Sequence, residues 1–117
     1  MFVKVARSAE VPEGGKPVVK IVGITPVALA RVNGRVVVFE AFCPHSKWNL
    51  GASGMCFVGA DGDVKVLCKG HGGLWSLSTG EGAVQGKPSN KLRVYAAVEV
   101  DGYIYVDLPV VASPTVL

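Results

Sequence analysis

The residues of this chain best suited to chemistry lie in two short segments, each of which combines a thiol with an imidazole. The first segment is Cys43-Pro44-His45 and the second is Cys68-Lys69-Gly70-His71. Together they contain both histidines of the chain and two of its three cysteines. Such a ligand set is compatible with tetrahedral zinc. It is also compatible with a [2Fe–2S] centre in which two histidines replace two cysteines on one iron.

Each segment follows a predicted strand and is bounded by residues that form turns, among them Gly51 after the first and Gly72 in the second. Glycine allows the backbone to adopt unusual φ values and to approach a metal closely. We therefore expect the two loops to meet at one end of a β-scaffold.

The spacing, Cys-x-His and then Cys-x2-His with each pair in its own loop, resembles that of the Rieske iron–sulfur family. A zinc finger more often groups its cysteines apart from its histidines. The resemblance continues through Leu50-Gly51, the run 72–81, and Gly86-Lys87-Pro88, which is similar to the proline loop that covers the cluster. It spans about residues 2–108, and soluble archaeal and bacterial Rieske ferredoxins are the most similar relatives.

The resemblance implies an all-β Rieske iron–sulfur fold, in which antiparallel strands form small stacked sheets with two cluster-binding loops at one end. It implies that Cys43 and Cys68 bind the buried iron as thiolates. His45 and His71 would bind the outer iron through one ring nitrogen each, and their exposed rings would be the route for electrons.

The strand pattern independently favours an all-β barrel or sandwich, with no convincing helix. Expected strands are 2–6, 18–22, 26–32, 35–42, 55–59, 64–68, 92–100 and 103–108. Asn33-Gly34, Asp61-Gly62 and Asp101-Gly102 predict hairpin turns. We expect one domain over residues 1–108, with ligand loops at about 43–51 and 68–76. The tail 109–117 is expected to be loosely attached or packed along an edge.

Charge and hydropathy limit the kinds of partner and the cellular location that we expect for this protein. The 117 residues carry a net charge of +3, and the basic residues are scattered, which argues against nucleic acid and favours an acidic protein partner. The N-terminus does not resemble a signal peptide, and no apolar run is long enough for a membrane helix. These features predict a cytoplasmic monomer without a membrane anchor.

Some positions depart from the Rieske proteins of respiratory complexes, which carry a disulfide between the loops and two hydroxyls near the cluster. Trp48 and Gly70 stand at the disulfide positions, and Gly73 and Trp75 at the hydroxyl positions. With fewer hydrogen bonds to the cluster, we expect a reduction potential in the lower half of the roughly −150 to +300 mV that Rieske centres span.

Several neighbouring residues have two interpretations. Trp48 and Trp75 either shield the cluster or form part of a docking surface, and Pro88 is expected to lie over the cluster. Lys47 and Lys69 are either ordinary solvated charges or a pair that docks an acidic partner. The third cysteine, Cys56, is expected to be a buried thiol without a ligand role.

The sequence thus predicts an electron carrier, not an enzyme, that serves an oxygenase or another redox enzyme. Both histidines are already used, so none remains for a second iron site of two histidines and a carboxylate. Two alternatives remain: a small subunit of a larger oxidoreductase of the nitrite reductase type, and a structural zinc module that binds other proteins.

Overall fold

The computed structural model describes residues 1–109, which form short antiparallel strands. The strands are β1 (Phe2–Arg7), β2 (Val18–Val22), β3 (Thr25–Val32), β4 (Arg35–Glu40), β5 (Gly54–Val58), β6 (Val64–Cys68), β7 (Gly73–Ser76), β8 (Gly82–Val84), β9 (Lys87–Pro88), β10 (Val94–Tyr95), β11 (Ala97–Val100) and β12 (Tyr103–Asp107). A 3₁₀ turn covers Ser8–Glu10, and a short helix, α1, covers Leu50–Ser53. The all-β prediction is confirmed. The sequence pattern does not predict α1, because four residues are too few to show a helical repeat.

The strands form three sheets, with the orders β1-β12-β11, β10-β4-β3-β2 and β5-β6-β7-β8-β9. Neighbouring strands within each sheet are antiparallel. The first two sheets are built from both ends of the chain. The third sheet is formed by the middle of the chain and carries the second ligand segment, because β6 ends at Cys68 and β7 begins at Gly73.

The core is divided into two clusters that lie on opposite faces of β3. Side chains alternate between the faces of a strand, so Ala28 and Ala30 pack in one cluster while Val27 and Leu29 pack in the other. The first cluster also contains Cys43, Cys68 and the third sheet's buried residues. The second cluster lies between the sheet of β3 and the sheet of β12.

Two of the three predicted turns have the backbone that their sequences favour. Asn33 and Gly34 have φ values of 53° and 79°, and Asp101 and Gly102 have 51° and 83°. Two successive positive φ values match the turn that suits the twist of a hairpin. Between β5 and β6 only Gly62 is left-handed, with φ 83°, because that connection is a longer loop.

The predicted strand over residues 92–100 is wrong, because the chain changes sheets there. β10 pairs with β4, whereas β11 pairs with β12, and the break falls at Ala96. At the start of this region the Glu40 backbone N–H donates to Arg93 O at 2.9 Å. The other expected strands agree with the structure to within two residues at each end.

Strands β7, β8 and β9 were not expected, since they have only four, three and two residues and two of them begin with glycine. None of the described helices has the length and hydropathy that a membrane span requires. Residues 110–117, most of the predicted tail, lie outside the described residues.

Candidate metal centre

The first ligand segment lies in a tight loop between β4 and α1. The Cys43 N–H donates to Trp48 O, and the Lys47 N–H donates to Cys43 O, both at 3.0 Å. Lys47 has a positive φ of 61°, which turns the chain back on itself. The loop places Cys43 inside the protein and leaves His45 exposed at its tip.

The second ligand segment is the turn between β6 and β7. The Gly72 N–H donates to Cys68 O at 2.9 Å, and Gly72 has a φ of 72°, which favours glycine. The Lys69 N–H donates to Ser53 O at 2.7 Å. This hydrogen bond ties the turn to the end of α1, and so to the element that follows the first ligand segment.

The two segments meet at one end of the scaffold, as the strand pattern predicts. Cys43 Sγ lies 3.1 Å from His71 Nε2, and the possible ligand atoms of Cys43, Cys68 and His71 all lie within 4.8 Å of one another. His45 lies beside this group, with its ring centroid 4.9 Å from that of His71 and its plane at 87°. The group therefore brings together two sulfurs and one imidazole, and the second imidazole, His45, lies beside it but outside it.

Burial divides the four side chains. Cys43 and Cys68 are completely buried, His71 is half-buried, and His45 is exposed. His71 Nδ1 is buried and has no hydrogen-bond partner among the described residues. A buried polar atom without a partner is costly, and the imidazole nitrogen is a good iron ligand. The donor set and this unpartnered nitrogen therefore fit a metal centre with mixed sulfur and nitrogen ligation.

The environment of Cys43 favours its thiolate form, which is the form that binds metals. Burial makes the largest contribution and on its own would raise the pKa of the Cys43 thiol. The hydrogen bonds from Ser46 and His71 together outweigh burial and lower this pKa to about 6. Burial raises the pKa of Cys68, and the nearby Cys43 acts in the same direction.

Ser46 is a site residue that the sequence analysis missed. Its hydroxyl and its backbone nitrogen each lie 3.5 Å from Cys43 Sγ. The signal was a serine three residues after a ligand cysteine within a turn, where a hydroxyl and an N–H can both reach the sulfur. The first loop thus supplies a hydroxyl close to a candidate ligand, although Gly73 and Trp75 supply none.

Replacing Ser46 with alanine is expected to lower the reduction potential. A hydrogen bond to a ligand sulfur stabilises the reduced, more negative state, and Ser46→Ala removes one of the two. The change should be a small part of the roughly 450 mV that Rieske centres span. Direct electrochemistry measures it, with Ser53→Ala as the control. A potential that rises or stays constant would show that the hydroxyl does not act on the sulfur.

Trp75 explains why position 73 in the second loop carries no hydroxyl. Its side chain is fully buried between Gly73 and Gly82. A Cβ on Gly73 would lie 2.4 Å from the indole, and one on Gly82 would lie 2.3 Å from it. The indole Nε1–H donates to Asn90 O at 3.2 Å. Trp75 therefore leaves no space for a serine side chain at position 73. Its one hydrogen-bond donor, the indole Nε1–H, is already bonded to Asn90 O.

The remaining predicted residues surround the ligands at the surface. Trp48 is 46% exposed, and its ring centroid lies 6.1 Å from that of His71. Lys47 and Lys69 are both exposed. Pro88 lines an open pocket of about 380 Å³ together with His45 and His71. The proline loop therefore lines the same pocket as both imidazoles.

Cys56 lies on β5, opposite Val66 of β6, and is 3% exposed. Burial raises the pKa of its thiol to about 12. It is not part of the group formed by Cys43, Cys68 and His71. These observations agree with the expected buried thiol.

Comparison with known families identifies the chain. The model of the Rieske [2Fe-2S] domain matches residues 1–96, so the chain belongs to this family. Its cofactor is accordingly a [2Fe–2S] cluster, and the buried sulfurs and the unpartnered imidazole nitrogen fit this group.

Solved structures share the fold. The ferredoxin of carbazole 1,9a-dioxygenase from Nocardioides aromaticivorans IC177 is 23% identical with a TM-score of 0.73, covering 91% of this chain and 96% of that chain. The Sphingomonas yanoikuyae B1 ferredoxin is 24% identical with a TM-score of 0.74, covering 93% and 100%. A protein assigned as the small subunit of NADH-dependent nitrite reductase from Mycobacterium tuberculosis is 20% identical with a TM-score of 0.78, covering 95% and 97%. No curated protein matches the chain.

Proposed function

We propose that the protein is a soluble, cytoplasmic Rieske-type ferredoxin, a monomer that carries single electrons between redox proteins. The proposed cluster ligands are Cys43, His45, Cys68 and His71. The cluster supplies the one-electron redox chemistry, and the chain binds it and buries its sulfur ligands. The observation that supports this function most is the meeting of two buried sulfurs with an exposed imidazole at the surface. Electron transfer needs such an exposed edge, whereas catalysis would need a substrate site.

The fold neighbours suggest the electron acceptor. In carbazole 1,9a-dioxygenase, a ferredoxin forms a complex with an oxygenase. We therefore propose a terminal oxygenase as the acceptor and a reductase as the donor. The nitrite reductase small subunit has the same fold, and it supports the alternative that this chain is a subunit of a larger oxidoreductase.

Metal analysis and EPR test the function directly. The protein is reconstituted anaerobically with iron and sulfide, and we expect a brown sample with an anisotropic EPR signal after reduction. The midpoint potential is expected below about +75 mV, the middle of the Rieske range. A colourless protein that binds zinc tightly and gives no signal would support the zinc module instead. Co-purification of a large partner at fixed stoichiometry would support the subunit alternative.

The charges around the ligands suggest an acidic partner. The stretches 41–53, 68–76 and 85–93 contain no aspartate or glutamate. They carry five exposed cations: Lys47, Lys69, Lys87, Lys91 and Arg93. We call these five side chains the cationic rim. Lys87 lines the pocket with both histidines, and Lys91 and Arg93 line a neighbouring groove with Lys47, in which Glu40 is the one acidic residue among the described lining residues.

The cationic rim is a cluster of unpaired charges, whereas most cations elsewhere in residues 1–109 are paired. Arg31 pairs with Glu99, Lys65 with Asp61, and Lys20 and Arg7 with Glu10, while Lys4, Lys16 and Arg35 have no carboxylate partner within this range. No rim side chain has a carboxylate partner among the described residues. Unpaired charges of one sign steer a partner of the opposite sign. We propose that the rim docks a redox partner whose own cofactor lies in an acidic surface.

Salt and charge substitutions are expected to slow electron transfer to such a partner. The Debye length falls from about 30 Å at 0.01 M salt to about 10 Å at 0.1 M, which screens the rim. The variant Lys47→Gln/Lys69→Gln should lower the second-order rate constant at low salt by about tenfold. Stopped-flow mixing with an acidic reductase measures this rate. Arg35→Gln, which removes an exposed charge at the Asn33-Gly34 turn, is the control. Equal rates for the two variants would contradict the docking role.

A further inference from the structure

The two ligand segments contact each other through a tryptophan and a glycine that are not ligands. The indole of Trp48 lies against the backbone of Gly70. A Cβ built on Gly70 would lie 2.6 Å from Trp48 Cε3 and 2.7 Å from Trp48 Cδ2. Real Cβ atoms do not approach other atoms this closely, so the indole occupies the space that any side chain at position 70 would need.

The backbone of Gly70 gives no other reason for a glycine. Gly70 is not among the glycines with positive φ, whereas Gly72, two residues later, has a φ of 72°. A residue with a Cβ can adopt the φ of Gly70. The indole of Trp48 is therefore what favours glycine at this position.

Trp48 is well placed to connect the two segments. Its backbone oxygen accepts the hydrogen bond from the Cys43 N–H, so its main chain is fixed to the first segment. Its side chain reaches the second segment, where it covers Gly70 and meets the His71 ring edge-on at 76°. Cys43 and His45 also contact His71, but these residues belong to the proposed ligand set.

We infer that Trp48 is a positioning residue that clasps the second ligand segment onto the first and so controls how long the chain retains its cluster. The inference rests on the proposed ligand set. The indole can reach the second segment because Gly70 has no side chain.

The inference predicts faster cluster loss when the indole is removed. The Trp48→Ala holoprotein, mixed with an iron chelator under anaerobic conditions, should lose its visible absorbance about fivefold faster than the unaltered protein. This is the size expected for one aromatic contact. Trp48→Phe keeps a ring over Gly70 and should lie between the two. Phe42→Ala removes an aromatic side chain that is 39% exposed on the same loop, and it should leave the rate within about twofold.

Hydrogen exchange supplies a readout that does not depend on redox activity. The amides of Lys69 and Gly72 donate to Ser53 O and Cys68 O, and they report the order of the second segment. Trp48→Ala should speed their exchange in the holoprotein, whereas Phe42→Ala should not. Unchanged exchange and unchanged cluster loss in Trp48→Ala would overturn the inference.

A double-mutant cycle tests whether Trp48 and Gly70 act as a pair. Gly70→Ala alone should displace the indole and speed cluster loss as Trp48→Ala does. In the Trp48→Ala background the space is free, so Gly70→Ala should add nothing. Additive effects would show that the two residues act separately and would overturn the clasp.

The outcomes separate this inference from the proposed function. If the unaltered protein binds no cluster, the ligand proposal fails. If it binds the cluster and Trp48→Ala slows only electron transfer to a partner, with normal cluster retention, then Trp48 is a docking residue and the clasp alone is contradicted.

Discussion

Replacing Cys43 or Cys68 with alanine is expected to abolish the [2Fe–2S] cluster completely, whereas Cys56→Ala should leave it in place. The three cysteines have similar burial, since Cys43 and Cys68 are fully buried and Cys56 is 3% exposed. Each substitution therefore removes one buried sulfur and creates a cavity of similar size. What differs is proximity to His71, which only the first two share.

The measurements are iron and sulfide content together with the EPR spectrum of the reduced protein, each on samples reconstituted in parallel. Buried substitutions commonly destabilise a domain by about 0.5–3 kcal/mol, so folding is checked by circular dichroism in all three variants. A folded Cys68→Ala protein with a normal EPR signal would contradict the ligand assignment. Loss of the signal in Cys56→Ala alone would move the ligand role to that residue.

Substitution of the two histidines tests the other two proposed ligands. His71→Ala and His45→Ala should each eliminate the Rieske EPR signal, because a [2Fe–2S] centre without its imidazole ligands loses the spectrum that defines it. Lys47→Ala changes a neighbouring exposed residue and should keep the signal. If His45→Ala kept the signal, the second imidazole ligand would have to be another group.

Replacing Trp75 with alanine is expected to destabilise the protein by about 3–5 kcal/mol. Trp75 is fully buried, it fills the space between Gly73 and Gly82, and its Nε1–H bonds to Asn90 O. Removing it leaves a cavity that neither glycine can fill. Since whole domains are stable by about 5–15 kcal/mol, this single loss is a large fraction of the total.

Urea unfolding of the holoprotein under anaerobic conditions, followed by circular dichroism, measures this change. Leu74→Ala is the matched control, because Leu74 is the neighbouring residue on β7 but is 36% exposed. Its cost should be well under half that of Trp75→Ala. Similar costs for the two variants would mean that the core does not depend on the tryptophan.

The proposed ligand residues can be singled out from the sequence because they form a short motif. Cys43 and His45 are two residues apart, and turn-forming residues lie close to them in the sequence. A pattern this local can be recognised without knowledge of the tertiary fold. The all-β class was predictable for a related reason. Val and Ile dominate the short apolar run of β2, apolar residues also predominate in β3, and Asn33-Gly34 marks the turn that follows.

Contacts between segments could not be predicted in this way. The packing of Trp48 on Gly70 joins residues far apart in sequence, and it depends on where the two loops lie in space. The two tryptophans differ for the same reason, since Trp75 is fully buried and Trp48 is 46% exposed. Ser46 was missed because its importance comes from a turn geometry that sequence spacing alone does not specify.

The sequence pattern also could not predict that the chain changes sheets at Ala96. Residues 92–100 have the composition of one long strand, and local preference cannot distinguish one strand from two. The two strands are distinguished by their pairing, since β10 pairs with β4 and β11 pairs with β12.

The hydrogen bond from the Glu40 N–H to Arg93 O has a consequence for the architecture of the chain. Because these residues are neighbours, the segment 41–92 leaves and re-enters the scaffold at one place. Both ligand pairs lie within this segment, and the core cluster between the sheets of β3 and β12 draws no described residue from it. In topology the segment is an inserted module with adjacent ends. It packs on the opposite face of β3, where Ala28, Ala30 and Phe39 share a core cluster with it, so a replacement segment would have to cover these residues. Residues 40 and 93 are thus the natural splice points for grafting a different metal-binding segment onto this scaffold.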